Sequence, residues 1–192
     1  MKADGRQVRS RSYMNKRVCG LWLIWVAAIL FAGLLAGGAQ LISMPVFSLG
    51  YMAGFFWILT GKAVSRKLSY GPQTAFQGKM TLYSIILMFV IMVLVGGPHF
   101  GDGNYRMVWL GAFLAIGLHF IPMAWVHGRS MPLLAVLLSA NAVAGMVWPE
   151  LSFHALVYVD LAVKVLWGTL LLLSGRPAAA AEPFENSSNI AN

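Results

Sequence analysis

Six runs of apolar residues, 18–35, 40–60, 80–95, 107–126, 132–148 and 152–174, are separated by short polar segments. Each run approaches the roughly 20 residues that cross about 30 Å of hydrocarbon as a helix. None alternates polar with apolar positions, as the strands of a membrane barrel do. A helix satisfies its backbone donors and acceptors within one segment, which hydrocarbon demands. The runs end at recognisable stops: Gly37 with Gly38, Lys62, Gly96 with Gly97 and Pro98, His127, Pro149, and Gly175 with Arg176 and Pro177. Pro132 is placed to start the fifth run and Pro149 to end it. The pattern predicts an all-α fold, a polytopic transmembrane helix bundle of six spans.

Charge orients the bundle. The basic segments are the N-terminal arm (Lys2, Arg6, Arg9, Arg11, Lys16, Arg17), the second connection (Lys62, Arg66, Lys67, Lys79), Arg129 in the fourth and Arg176 in the tail. Twelve of the fourteen Lys and Arg therefore fall on one side, Arg106 falls on the other, and Lys164 lies within the sixth run. Short loops rich in Lys and Arg stay in the cytoplasm, so both termini are predicted to be cytoplasmic. Residues 1–17 read as a basic arm, 18–174 as one six-helix domain and 175–192 as a disordered tail rich in Ala, Asn and Ser. The first run is longer than the roughly 7–15 residues of a signal-peptide core and reads as a retained anchor. The longest connection, 61–79, reads as a loop turning at Gly71 and Pro72.

Composition agrees. Of 192 residues, 59% are hydrophobic and 10% charged, against about a quarter charged in an ordinary soluble chain. A net charge of +8 raises the question of nucleic acid. The basic residues sit in loops beside spans rather than among stacking aromatics, so no nucleic-acid partner is predicted; membrane lipids are. Cys19 is the only cysteine, which excludes an intrachain disulfide and a thiolate zinc site.

Small residues mark helix packing. Gly33 with Gly37, and Gly50 with Gly54, repeat at four-residue spacing in the first two runs. Such steps let backbones approach closely in lipid and predict a tight hairpin of those helices. Pro45 and Pro122 fall inside the second and fourth runs, where each removes a donor and is expected to kink its helix.

The sharpest chemistry is Asp160 and Lys164, one turn apart in the sixth run and so on one helix face. On an insertion scale each costs about 2.5–3.5 kcal/mol at the span centre. The Leu, Val and Phe of that run return a similar sum, so the helix is marginal alone unless the charges pair or face inward. His119 and Asn141 fall at similar depth in the fourth and fifth runs. His119, Asn141, Asp160 and Lys164 are therefore the candidate intramembrane polar site, since ionisable residues at that depth are functional candidates by default. The bland alternative is that they clamp helices together. His99, Asp102, Glu150 and His154 share the outer side, but their spacing matches no metal-ligand motif, and neither a metal nor a cofactor is predicted. No phosphate-cradling loop or nucleophile elbow is present, so the chain does not read as an enzyme.

Lys16-Arg17-Val18-Cys19-Gly20-Leu21-Trp22 at the entry to the first run, and Leu118-His119-Phe120-Ile121-Pro122 in the fourth, resemble the small multi-pass bacterial membrane proteins that form families of unknown function. The resemblance spans 16–174 and implies a bacterial cytoplasmic (inner) membrane; it supplies no catalytic residues. Two functions stay open. One is a small solute or ion transporter with a midplane polar site. The other is a structural or accessory membrane protein whose partner is another protein or a second copy of the chain.

Overall fold

The computed structural model describes residues 13–175; the tail and most of the basic arm lie outside them. Among the described residues every regular element is helical. The helices are α1 (Lys16–Leu35), α2 (Met44–Gly54), α3 (Lys62–Leu68), α4 (Ala75–Ile91), α5 (Tyr105–His127), α6 (Met131–Val147) and α7 (Phe153–Leu172). Short π-helical turns extend α2 over Phe55–Leu59 and α4 over Met92–Gly96.

Four helical stretches are long and apolar enough to cross a membrane: Lys16–Leu35, Ala75–His99, Tyr105–His127 and Phe153–Leu172. A fifth results if Met44–Leu59 and Lys62–Leu68, which meet at a 58° bend, form one broken span. α6 is apolar but has 17 residues, about 26 Å at 1.5 Å per residue. The helices suit a membrane-embedded protein, and their exposed faces are lined with Leu, Val, Phe and Ile.

The ends of these helices follow local chemistry. Thr74 and Gln77 form a reciprocal capping box that starts α4, so this helix begins before Lys79 and not after it. Asn104 caps α5 through Met107 N. Pro132 sits in the first turn of α6, where its missing N–H is no loss. Pro45 occupies the same kind of place in α2. It therefore opens that helix and does not bend it, contrary to the kink expected from its run. The run 40–60 reads as continuous because hydropathy does not distinguish a short turn of mild polarity from a helix, although no residue of the turn Gly38–Gln40 is buried. Gln40 in fact closes a 3-10 turn, Gly38–Gln40, and Leu41 follows at φ 63° before α2 begins. The connection 61–79, expected as a loop, contains α3.

α5 lies centrally, packed by α4 on one side and α6 on the other, while α7 packs against α1 and α1 against α2. Glycines set the closest approaches. A Cβ on Gly111 would lie 2.6 Å from Gly96 Cα, joining α5 to the end of the α4 stretch. One on Gly117 would lie 2.5 Å from Ser139 Oγ, joining α5 to α6. One core cluster, including Leu30, Leu110, Phe113, Phe153 and Val157, fills one half of the bundle. A second, including Leu23, Phe120, Leu134, Leu138 and Trp167, fills the other.

These contacts bring the start of α1, α3, the start of α4, the end of α5 and the end of α7 to one end of the molecule. Arg17 Nε donates to Leu172 O at 3.0 Å there, and Arg17 Nη1 to the Tyr70 hydroxyl at 3.3 Å. Arg106 lies at the other end, donating to Gly145 O at 3.0 Å.

Candidate functional site

Asp160 and Lys164 form an ion pair within α7. Their side chains are 0% and 1% exposed, so the pair lies wholly inside the bundle. The helix builds this geometry unaided, because side chains four residues apart stand over one another. The Lys164 ammonium also lies 5.6 Å from the centre of the Phe113 ring of α5, within range of a cation–π attraction. Phe113 in turn stacks on Phe153 at 6.3 Å. Asp160 Oδ2 takes the ammonium, while Asp160 Oδ1 is buried with no hydrogen-bond partner. A bare carboxylate oxygen at such a place has unused accepting capacity.

Asn141 of α6 donates from Nδ2 to Leu156 O of α7 at 2.9 Å. Leu156 is one turn before Asp160, so this bond holds Asn141 against α7 one turn from the pair. This bond joins two helices.

His119 is held differently. A ring nitrogen lies against Ile116 O of its own helix, and the ring centre is 4.1 Å from that of Phe120. Among the hydrogen bonds and ion pairs of the described residues, none joins the His119 ring to Asp160 or Lys164. The four polar residues therefore form one close pair with two neighbours, and not a single coordinated cluster. Pro122 lies within α5, which runs on to His127. The hydroxyl of Ser84 in α4 donates to His119 O at 2.6 Å, supplying a partner in the turn that Pro122 interrupts.

The packing glycines fall as follows. Gly33 approaches Ile42 and Phe47, Gly50 approaches Ile29, and Gly54 approaches Trp25, whose indole donates to Gly50 O at 3.0 Å. These three sit at the α1–α2 contact. Gly37 does not: a Cβ there would meet Leu41 O of its own turn. It belongs to the bend between the helices rather than to their interface.

Beyond the predicted polar residues, Gln77, Ser84, His127 and Ser139 are buried or carry a buried polar atom. Ser84 is 0% exposed, and His127 Nδ1 and Ser139 Oγ are buried without a partner. Ser139 could have been found, since it stands two residues from Asn141 in the same apolar run. His127 reads in sequence as the end of a span, and only its packing shows it to be covered.

Among the described residues no group of three or more His, Cys, Asp or Glu gathers to hold a metal ion. Asp102, Glu150 and His154 are exposed and His99 half-buried. No curated protein and no solved structure is significantly similar to the chain. The model of a family of unknown function, DUF6609, matches residues 6–181, and the chain belongs to that family.

Proposed function

We propose that this chain is a six-span protein of the bacterial cytoplasmic membrane, with both ends inside, that moves a small ion or polar solute past Asp160 and Lys164. The observation that carries this reading is that the buried pair lies within one helix. An ionic clamp would join two helices, whereas the Asp160–Lys164 ion pair stays within α7 and only the cation–π contact of Lys164 with Phe113 reaches α5. Replacing such a pair with apolar residues is often neutral for stability, so the fold alone gives little reason to keep it. The unpartnered Asp160 Oδ1 is where a proton, cation or donor group would first be accepted.

The threading rests on two supports. An even number of spans returns the chain to its starting side, which suits the gathering of described Lys and Arg at one end of the bundle. α6, at 17 residues, is at the short limit for a span and counts as the sixth. On this reading the protein is not an enzyme and needs no cofactor.

The accessory reading draws on Asn141 and Ser84, whose bonds do connect helices. The test replaces the pair as a unit. Asp160→Asn with Lys164→Gln removes both charges while keeping shape. Purified wild type and double variant are reconstituted in liposomes and screened for proton flux and solute uptake, with His119→Ala alongside. Transport requires wild-type flux above empty liposomes and its loss in a normally folded double variant. A double variant that transports like wild type defeats the proposal.

A further inference from the structure

The basic end of the bundle holds a cleft whose chemistry is independent of the buried pair. The chain bends by 58° between the α2 stretch and α3. The segment after α3 is tied back to the start of α1: Tyr70 N donates to Met14 O at 3.0 Å, and the Ser69 hydroxyl bridges Asn15 and Gly71. Between these pieces opens a cleft of about 350 Å³ lined by Asn15, Ser65, Arg66, Ser69, Gly71 and Pro72.

The lining is rich in donors and holds no carboxylate. Arg66 and Ser65 are exposed to solvent, and neither side chain has a hydrogen-bond or ion-pair partner among the described residues. The acidic residues that are described, Asp102, Glu150 and Asp160, lie in the far connections or inside the bundle. Lys62 and Lys67 stand on α3 beside the cleft, and Lys16 and Arg17 at the start of α1. Nothing described at this end opposes an anion.

Aromatic residues mark the level of the cleft. Trp57, just before the bend, is 58% exposed, and Trp125 at the end of α5 meets Phe76 at 6.1 Å. Amphipathic rings of this kind settle at the headgroup level of a bilayer. Phe56 and Leu59, on the same turn as Trp57, are also exposed. A guanidinium matches the oxygens of a phosphate in a two-pronged geometry, and Ser65 can donate to a third oxygen.

We propose that this cleft binds a phosphate group, presented at the membrane surface by an anionic phospholipid headgroup. Free phosphate has the same chemistry, so the test carries both sources. The full chain in detergent is titrated with phosphatidylglycerol and counted by native mass spectrometry, and separately titrated with inorganic phosphate by calorimetry. Arg66→Gln is expected to weaken phosphatidylglycerol retention about tenfold, the loss of one charge-assisted contact, and Ser65→Ala to weaken it by a smaller factor. Lys79→Gln removes an equal charge at the same end but outside the cleft, and is expected to leave retention unchanged. Gel filtration checks that each variant is folded. Inorganic phosphate that binds through Arg66 while the lipid does not would keep the phosphate site and reassign its source to solution. Arg66→Gln retaining wild-type binding of both ligands, or Lys79→Gln losing as much as Arg66→Gln, would overturn the proposal.

Discussion

Gly20 of α1 and Gly168 of α7 put their backbones in contact: a Cβ on Gly20 would lie 2.5 Å from Gly168 O, and one on Gly168 would lie 2.8 Å from Gly20 O. Both obstacles are backbone atoms, which cannot swing aside. Gly20→Ala and Gly168→Ala should therefore push the two helices apart and cost about 1–3 kcal/mol each, as overpacking does. A Cβ added to Gly78 on α4 would meet nothing within 4 Å. Gly78→Ala should be neutral or stabilising by up to about 1 kcal/mol through helix propensity. Thermal unfolding of purified protein in detergent checks the contrast, and equal effects at Gly20 and Gly78 would count against this interface.

That contact also shows where sequence reading ends. Hydropathy located the apolar runs because lipid acts on each residue separately, and the Asp160–Lys164 pair needed only four-residue spacing. Gly20 and Gly168 meet across the chain, and neither has a local partner that marks it. Gly33, Gly50 and Gly54 stood out by their spacing, but so did Gly37, which serves a turn. Pro45 misled for a related reason. Hydropathy does not register that Leu41 takes a positive φ and ends one element before the next begins. His119 lay at the right depth, yet its ring is turned to Ile116 O by rotamer choice, which residue spacing does not encode.

The buried pair should respond to single and double replacement in opposite ways. Asp160→Leu strands the Lys164 ammonium, and Lys164→Met strands the carboxylate. Either should cost about 3–5 kcal/mol, because an unpaired charge is left in the interior. The double variant leaves no charge and should recover most of that loss. A thermodynamic cycle on the four proteins measures the coupling. Additive losses would mean that the two side chains do not depend on each other.

Asn141 should behave as a helix-to-helix contact and nothing more. Asn141→Leu removes the bond to Leu156 O and should lower stability by about 0.6–2 kcal/mol, the range of polar contacts between spans. Flux in liposomes, scaled to folded protein, should be unchanged. A variant that folds as well as wild type but loses flux would move Asn141 from the scaffold into the transport path.

Threading can be read with single cysteines. Cys19, the one native cysteine, is buried and can be removed as Cys19→Ala. Lys67 and Arg129 are exposed at the basic end, and Asp102 and Glu150 are exposed at the other. In intact cells, a membrane-impermeant maleimide should label Asp102→Cys and Glu150→Cys. It should reach Lys67→Cys and Arg129→Cys only after the membrane is opened. The physical basis is that translocating a short basic loop is unfavourable, so Lys and Arg stay on the side where the chain was made. Labelling of Lys67→Cys but not Arg129→Cys in intact cells would place the two ends of the α4–α5 pair on opposite sides. One of those helices would then not cross, and the six-span count would fail even though every helix is present.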